Sequence, residues 1–142
     1  MCLYIDKTKT NKAKKNKTGK VVRWKVVTRS YFGVVIDFLH SVMKVFTWKI
    51  GWNQSDRKNN YLSADESDIR IINHGIHVFT TRKIARSWCG HDGVRGDRIV
   101  KIICYNKDLV AVGNQHDEVY MKVFLPKDEH DSAVKRKGIE RR

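Results

Sequence analysis

The stretch Val21-Val22-Arg23-Trp24-Lys25-Val26-Val27-Thr28 decides the class of fold, because its side chains alternate between apolar and basic. On an extended chain Val22, Trp24 and Val26 fall on one face, and the basic residues between them fall on the other. This pattern is typical of a half-buried β-strand, whose apolar face packs on a core. The chain therefore contains at least one strand of a sheet with a covered face.

Working outward from this strand, other short runs rich in Ile, Val and aromatic residues predict further strands. They are bounded by Gly, Asn or Asp, which favour turns. The predicted strands are Ile69–Ile72, Gly75–Thr80, Arg98–Tyr105, Leu109–Val112 and Val119–Leu125, with Cys2–Ile5 as a short edge strand.

Helical signals are fewer. Thr80 or Thr81 is a good N-cap for a helix over Arg82–Cys89, which carries an apolar stripe. Val34–Ile50 is ambiguous, and we expect a helix or turn early in it and a strand later. The fold class that follows is α+β, with a mainly antiparallel sheet of about six strands and one or two helices.

Three polar or glycine-rich stretches predict loops, and one of them is long enough to be of functional interest. These loops are Gly51–Asp68, Gly90–Asp97 and Gly113–Glu118. Pro126, the only proline, is expected to close the folded part.

Length and composition limit the class of protein. The 142 residues are 41% hydrophobic and 10% aromatic, which excludes a wholly disordered chain. No apolar run approaches the roughly 20 residues of a membrane helix, so we expect no membrane partner. The lysine-rich start does not resemble a secretory signal, and the three cysteines are an odd number. Both observations favour a reducing, cytoplasmic environment over a disulfide framework.

The net charge of +14 is concentrated at the two ends of the chain. Residues 1–20 hold seven Lys and one Asp, and residues 135–142 hold five Lys or Arg and one Glu, giving +6 and +4. Residues 21–134 hold 17 basic and 13 acidic residues, a further +4. We therefore predict a single domain over 21–134, with basic flexible arms at 1–20 and 135–142.

Basic arms point to a polyanionic partner, because lysines near phosphates release counterions whatever the nucleotide sequence. We expect nucleic acid or a ribonucleoprotein, with an acidic protein surface as another possible partner. The alternatives are a solubilising tail or docking of the arm on the body's own acidic residues. The arm residues expected to bind nucleic acid are Lys12, Lys14, Lys15, Lys17, Arg136 and Lys137.

The glycine-rich loop Gly90–Asp97 gathers an imidazole, carboxylates and guanidinium groups, with Arg98 directly after it. Glycines let backbone amides approach an anion. Arg95 and Arg98 are therefore the residues of the body that we expect to contact phosphate. The alternative is a solvated loop with local Asp–Arg pairs.

The start Met1–Ile5 resembles that of small, mostly uncharacterised phage accessory proteins. The resemblance extends to the strand Val22–Val27, the turn Gly51–Asn53 and the run Gly75–Phe79, and covers most of residues 2–126. It implies an accessory role in an infected host cell, including interference with a host defence system, and it implies no particular activity.

A weaker similarity concerns the fold of ADP-ribosyltransferases. The run Gly75–Phe79, followed by Ala85 and Cys89, is similar to a core strand and helix of those enzymes. The similarity implies an alternative function as an enzyme that acts on NAD or an RNA 2′-phosphate. It would use His77, Glu118 and Arg23 as catalytic residues.

One group of side chains has the chemistry of zinc ligands, namely His74, His77, Cys89 and His91. However, residues three apart on a strand point to opposite faces, so we predict no metal site. We also predict no cofactor, unless the NAD-dependent alternative applies.

The four tryptophans differ in their expected exposure. Trp24 and Trp88 lie on apolar faces and are expected in the core. Trp48 and Trp52 flank a loop edge, where aromatic rings beside lysine can contact a partner.

Overall fold

The computed structural model describes residues 3–16, 18–30, 33–39, 44–55, 61–63, 70–72, 75–89 and 98–135. These residues form an α+β fold with three α-helices. The helices are α1 (Lys7–Lys14), α2 (Arg82–Trp88) and α3 (Lys127–Lys135), and Asn106–Asp108 forms a 3₁₀ turn. The strands are β1 (Leu3–Tyr4), β2 (Lys20–Arg29), β3 (Val35–Leu39), β4 (Lys44–Thr47), β5 (Gly51–Gln54), β6 (Tyr61–Ser63), β7 (Arg70–Ile72), β8 (Ile76–Phe79), β9 (Arg98–Tyr105), β10 (Leu109–Val112), β11 (Asp117–Tyr120) and β12 (Lys122–Leu125).

Nine of these strands form one antiparallel sheet, with the order β10-β11-β8-β2-β9-β12-β5. β3 pairs with the end of β2, and β4 pairs with β3. β1, β7 and β6 form a small second sheet. The predicted class, α+β with a mainly antiparallel sheet, is confirmed, while the predicted numbers of strands and helices are only approximate.

The central strand is β2, which confirms the strand predicted at residues 21–28. It pairs with β9 over eight residue pairs, from Lys20 to Val27. Its other edge pairs with β8 at Trp24 and with β3 at Thr28 and Arg29. β2 is therefore held mainly by its long pairing with β9, and its pairing with β8 and β3 involves only three of its residues.

The larger core lies on the face of β2 that carries Arg23 and Lys25. Apolar side chains of the neighbouring strands fill this face, and α1 and α3 contribute Ala13 and Ala133. Lys25 is only 8% exposed. The expectation that the apolar face of β2 alone meets the core is therefore wrong. The other face of β2 carries Val22, Trp24 and Val26. On this face α2 packs Ala85 against the C-terminal half of the strand only.

The N-terminal arm contains a helix where we expected no regular structure. The Asp6 side chain caps α1 by accepting a hydrogen bond from the Lys9 N–H at 2.9 Å. Thr10 is buried, and its hydroxyl accepts a hydrogen bond of 2.9 Å from the Val112 N–H. Capping and this anchor outweigh the repulsion between the lysines of the helix.

The chain also continues as a helix beyond Pro126, where we expected the fold to end. Pro126 precedes α3, whose first turn holds Asp128 and Glu129 and whose last turn holds Lys135. This distribution of charge favours the helix dipole. Ala133 is buried in the larger core, so α3 is part of the domain.

One predicted helix, one predicted loop and one predicted strand are partly wrong. In Val34–Ile50 the described residues include the antiparallel pair β3 and β4, where we expected a helix or turn first and a strand later. Gly51–Gln54 is the edge strand β5, because the buried Asn53 side chain finds partners on the neighbouring backbone. The predicted strand Val119–Leu125 is two strands, β11 and β12, which pair with different neighbours.

The helix α2 and its N-cap are confirmed. The Thr81 hydroxyl accepts a hydrogen bond from the Ile84 N–H at 3.2 Å. The strands predicted at Arg98–Tyr105 and Leu109–Val112 are confirmed at the same bounds.

The turn between β10 and β11 contains a strained residue. His116 has a φ of 57°, the only positive φ among the non-glycine residues that the structure describes. Its carbonyl accepts a hydrogen bond from the Thr80 N–H at 3.0 Å, which holds the turn against β8. The left-handed conformation costs an L-residue roughly 1–2 kcal/mol relative to glycine.

We expect His116→Gly to raise the free energy of unfolding by about 0.5–1 kcal/mol, because glycine adopts this conformation without strain. Urea denaturation monitored by circular dichroism measures the change. Gln115→Gly is the matched control, since Gln115 is exposed in the same turn and has no positive φ, and it should be destabilising. Equal losses in the two variants would contradict the expectation.

Candidate functional site

Two of the three predicted catalytic residues form an ion pair on the core face. Arg23 donates from Nε and Nη2 to the two carboxylate oxygens of Glu118, the second contact at 3.3 Å. The Tyr120 hydroxyl donates to Glu118 Oε1 at 3.0 Å. The carboxylate is therefore engaged by three donor groups of the protein itself.

The surroundings shift the pKa values of Arg23, Tyr120 and the neighbouring Cys104. Burial lowers the pKa of Arg23, but the hydrogen bond and charge of Glu118 outweigh burial and raise it. Burial, reinforced by the Glu118 charge, raises the pKa of Tyr120. Burial also raises the pKa of the Cys104 thiol, although Arg23 opposes the shift. Tyr120 therefore remains a hydrogen-bond donor, and Cys104 remains a thiol.

The third predicted catalytic residue, His77, lies on the other face of the sheet. In the β11–β8 pair Glu118 is opposite Val78, whereas His77 is opposite Val119. Neighbouring positions of a strand point to opposite faces, so His77 and Glu118 are separated by the sheet. The three residues do not line one cleft, and their geometry gives no support to an NAD site.

The predicted nucleic-acid contacts are only partly described. Lys12, Lys14 and Lys15 are exposed on and after α1, where they form a basic helix surface. The remaining contacts predicted in the arms and in the loop before β9 lie outside the described residues. They are Lys17, Arg95, Arg136 and Lys137.

Arg98, predicted to contact phosphate, is instead buried. It is 4% exposed, and its Nε donates to the Ala133 carbonyl at 3.0 Å. Arg29 donates to the neighbouring Val134 carbonyl at 2.8 Å. Both arginines thus satisfy carbonyl groups at the C-terminal end of α3, a favourable position for a cation. Arg98 has a structural role here and is not available to a ligand.

An exposed aromatic surface lies on the face of the sheet that α2 covers only in part. On this face Trp52, Phe124, Ile103 and Val22 follow one another across β5, β12, β9 and β2. Val22 and Trp52 are 45% and 41% exposed. This face therefore presents the exposed apolar side chains of Val22 and Trp52.

Trp52 lies at the centre of an aromatic group. Its ring centroid is 5.4 Å from that of Phe124, edge to face, and 5.6 Å from that of Tyr105. The Lys122 ammonium lies 4.5 Å from the centroid of Trp52, and the Lys107 ammonium lies 6.0 Å from that of Tyr105. These five residues are called the aromatic platform below.

The charged side chains that the described strands direct to the face of the aromatic platform have one sign, while Glu129 of α3 accepts a hydrogen bond from the Lys101 N–H at 2.6 Å. The side chains that β2, β9, β12 and β5 direct to this face include Lys20, Lys101 and Lys122 and no carboxylate. With Lys107 this places four lysines along one open sheet surface. Exposed rings among ammonium groups suit a ligand that is planar in some parts and anionic in others.

The expected exposure of the tryptophans is right for Trp52 and wrong for Trp48. Trp48 is 1% exposed and packs edge to face on Phe46, with 5.5 Å between the ring centroids. Trp24 and Trp88, predicted in the core, pack at its margin and are partly buried. Tyr105 and Phe124 belong to strands that the sequence predicts, and only the strand order reveals that they join Trp52.

Comparison of the chain with family models, with curated proteins and with solved structures finds no match. Within the described ranges, no three His, Cys, Asp or Glu side chains are grouped as metal ligands. None of the helices described above has the length and apolar character that would let it cross a membrane.

Proposed function

We propose that the protein binds single-stranded nucleic acid on the aromatic platform. The observation that carries the proposal is the exposed Trp52 between Tyr105 and Phe124, with Lys122 and Lys107 over the rings. Unpaired bases stack on such rings whatever their identity, and lysines at the same surface take the phosphates. Duplex bases are already stacked on one another, so a single strand is preferred.

The interaction free energies favour stacking of a base on Trp52 over the contact that Lys122 makes with this ring in the free protein. An exposed cation–π contact contributes about 0.5–1 kcal/mol. Stacking of a base on an aromatic side chain contributes about 1–3 kcal/mol. A base can therefore displace the Lys122 ammonium from the ring, and the ammonium then meets a phosphate of the same strand.

The basic helix α1 supplies a second, weaker contribution. Lys12 and Lys14 are exposed at its C-terminal turn, where cations also stabilise the helix itself. They add salt-sensitive affinity for a longer strand, together with the basic segments at both ends of the chain. The resemblance to phage accessory proteins is consistent with a protein that acts by occupying its target, including a ribonucleoprotein of a host defence system.

We expect Trp52→Ala to weaken binding of a fluorescent single-stranded oligonucleotide by about 1–3 kcal/mol, roughly 5- to 150-fold. Lys122→Gln should instead flatten the dependence of log K on log salt by about 0.7 for each phosphate that is no longer neutralised. Fluorescence anisotropy at several salt concentrations measures both effects, with RNA and DNA strands and with the matching duplex.

Tyr4→Ala is the matched control, since Tyr4 is another exposed aromatic residue (48%) and belongs to the small second sheet. Equal affinities of the Trp52→Ala and Tyr4→Ala variants would contradict the proposal. A partner that the full chain retains from nuclease-treated lysate, together with no affinity for either strand or duplex, would instead favour an acidic protein surface.

A further inference from the structure

A groove adjoins the aromatic platform at the edge of the large sheet. It has a volume of about 650 Å³, within the range of small-molecule sites. It lies between the end of β4 and β5, and it includes Trp52 and Lys122 of the platform. The remaining lining residues are Phe46, Thr47, Lys49, Asn53 and Gln54.

The frame of the groove is held in place before any ligand binds. The Asn53 amide is 1% exposed, donates to the Lys49 and Gly51 carbonyls at 2.8 and 3.1 Å, and accepts from the Lys49 N–H at 3.0 Å. The turn that carries Lys49 is therefore closed by one side chain. Phe46, another lining residue, packs edge to face on the buried Trp48 ring. Such preorganisation reduces the entropy lost on binding.

The chemistry of the lining selects a narrow class of ligand. Lys49 and Lys122 supply positive charge, and none of the described residues that line the groove is a carboxylate. Trp52 and Phe46 supply aromatic surface for a planar ring, and Gln54 and Thr47 supply groups that donate and accept hydrogen bonds. A ligand that matches all three features combines an aromatic heterocycle with an anionic group.

We infer that this groove binds a nucleoside phosphate, with the base against Trp52 and the phosphate between Lys49 and Lys122. The ligand is either a free nucleotide or the terminal nucleotide of a single strand, since both present the same chemistry. The inference rests on the proposed function where the groove shares Trp52 and Lys122 with the platform. It goes further in assigning Lys49, which lies outside the platform, to a phosphate.

Calorimetric titration of the full chain with AMP, adenosine and inorganic phosphate tests the site. We expect AMP to bind at least about 10-fold more tightly than adenosine or phosphate, because only AMP engages both features. Lys49→Gln should weaken AMP binding by about 10-fold, the value of one hydrogen bond to a charged group. Lys83→Gln, an exposed lysine on α2, is the matched control and should leave AMP binding unchanged.

Strands with a 5′-phosphate or a 5′-hydroxyl distinguish the two sources of ligand. If the protein prefers the phosphorylated strand and Lys49→Gln abolishes this preference, the natural ligand is the end of a strand. If AMP binds and the protein shows no such preference, the natural ligand is a free nucleotide. A strand without a 5′-phosphate depends on the platform and not on Lys49, so Lys49→Gln should weaken AMP binding by a larger factor than it weakens binding of that strand. Absence of AMP binding and of any 5′-phosphate preference, or AMP affinity unchanged in folded Lys49→Gln protein, overturns the inference.

Discussion

Glu118→Leu should lower the free energy of unfolding by about 3 kcal/mol, the largest effect expected of a single side-chain truncation here. The substitution leaves the half-buried Arg23 guanidinium without its carboxylate and removes the acceptor of the Tyr120 hydroxyl. Values of about 3–5 kcal/mol are typical when one partner of a fully buried pair is removed, and the 21% exposure of Arg23 places the loss at the lower end. Urea denaturation followed by circular dichroism gives the value.

The matched variant removes all three polar groups together. In Arg23→Met/Glu118→Leu/Tyr120→Phe no buried polar group of the cluster remains unsatisfied, so stability should return to within about 1 kcal/mol of the parent. Glu118→Gln keeps the shape and one acceptor oxygen. Its free energy of unfolding should lie between those of the Glu118→Leu variant and the triple variant. A Glu118→Leu variant as stable as the parent, or a triple variant no better than the single one, would show that the cluster contributes little.

Gly75→Ala should cost about 2–5 kcal/mol, because strain and overlap act at the same position. Gly75 has a φ of 82°, and an added Cβ would lie 2.5 Å from Val119 Cγ1 and 3.3 Å from the Tyr120 carbonyl oxygen. The first distance requires β8 and β11 to move apart at the start of their pairing. Thermal and urea unfolding both report the loss.

Gly33→Ala separates the two contributions to the Gly75 effect. Gly33 also has a positive φ, 72°, but a Cβ there would approach nothing closer than Val134 Cγ1 at 3.9 Å. Its variant should lose only about 1–2 kcal/mol, from strain alone. Adding Val119→Ala to Gly75→Ala should cost less than the sum of the two single losses, because the second change removes the overlap. Strict additivity, or equal losses at both glycines, would argue against the overlap.

The parts of the fold that are predictable carry their signal locally. Strand β9 is apolar along most of its length, and α2 starts at the Thr81 cap, so both are visible in the sequence. The start of α3 is equally visible in Pro126 and the acidic residues after it, although we expected the fold to end there. Helix α1 is different, because its lysines predict a solvated segment and its stability depends on the long-range Thr10 anchor.

The candidate site is less predictable because it depends on strand order. Trp52, Tyr105 and Phe124 lie in three separate segments, and no local pattern indicates that β12 pairs with both β5 and β9. Arg98 illustrates the reverse problem, since a basic residue beside a glycine-rich loop is usually exposed. Here it begins a strand that passes beneath a helix end. The meeting of the three aromatic residues depends on strand register, and the burial of Arg98 depends on which helix covers which strand. Both are set by packing across the whole domain.

The pairing of β2 with β9 also has a consequence for how the chain folds. Val27 pairs with Arg98 and Lys20 with Tyr105, so the partners are 71 (98−27) to 85 (105−20) positions apart. Such non-local ladders form slowly, on a scale of roughly milliseconds to seconds, because a large loop has to close first. Until then β2 is a valine-rich strand with open edges, a form prone to aggregate. Arg23 and Lys25 alternate with apolar residues along β2. Their charges repel the same residues of another chain and so protect the unpaired strand from aggregation.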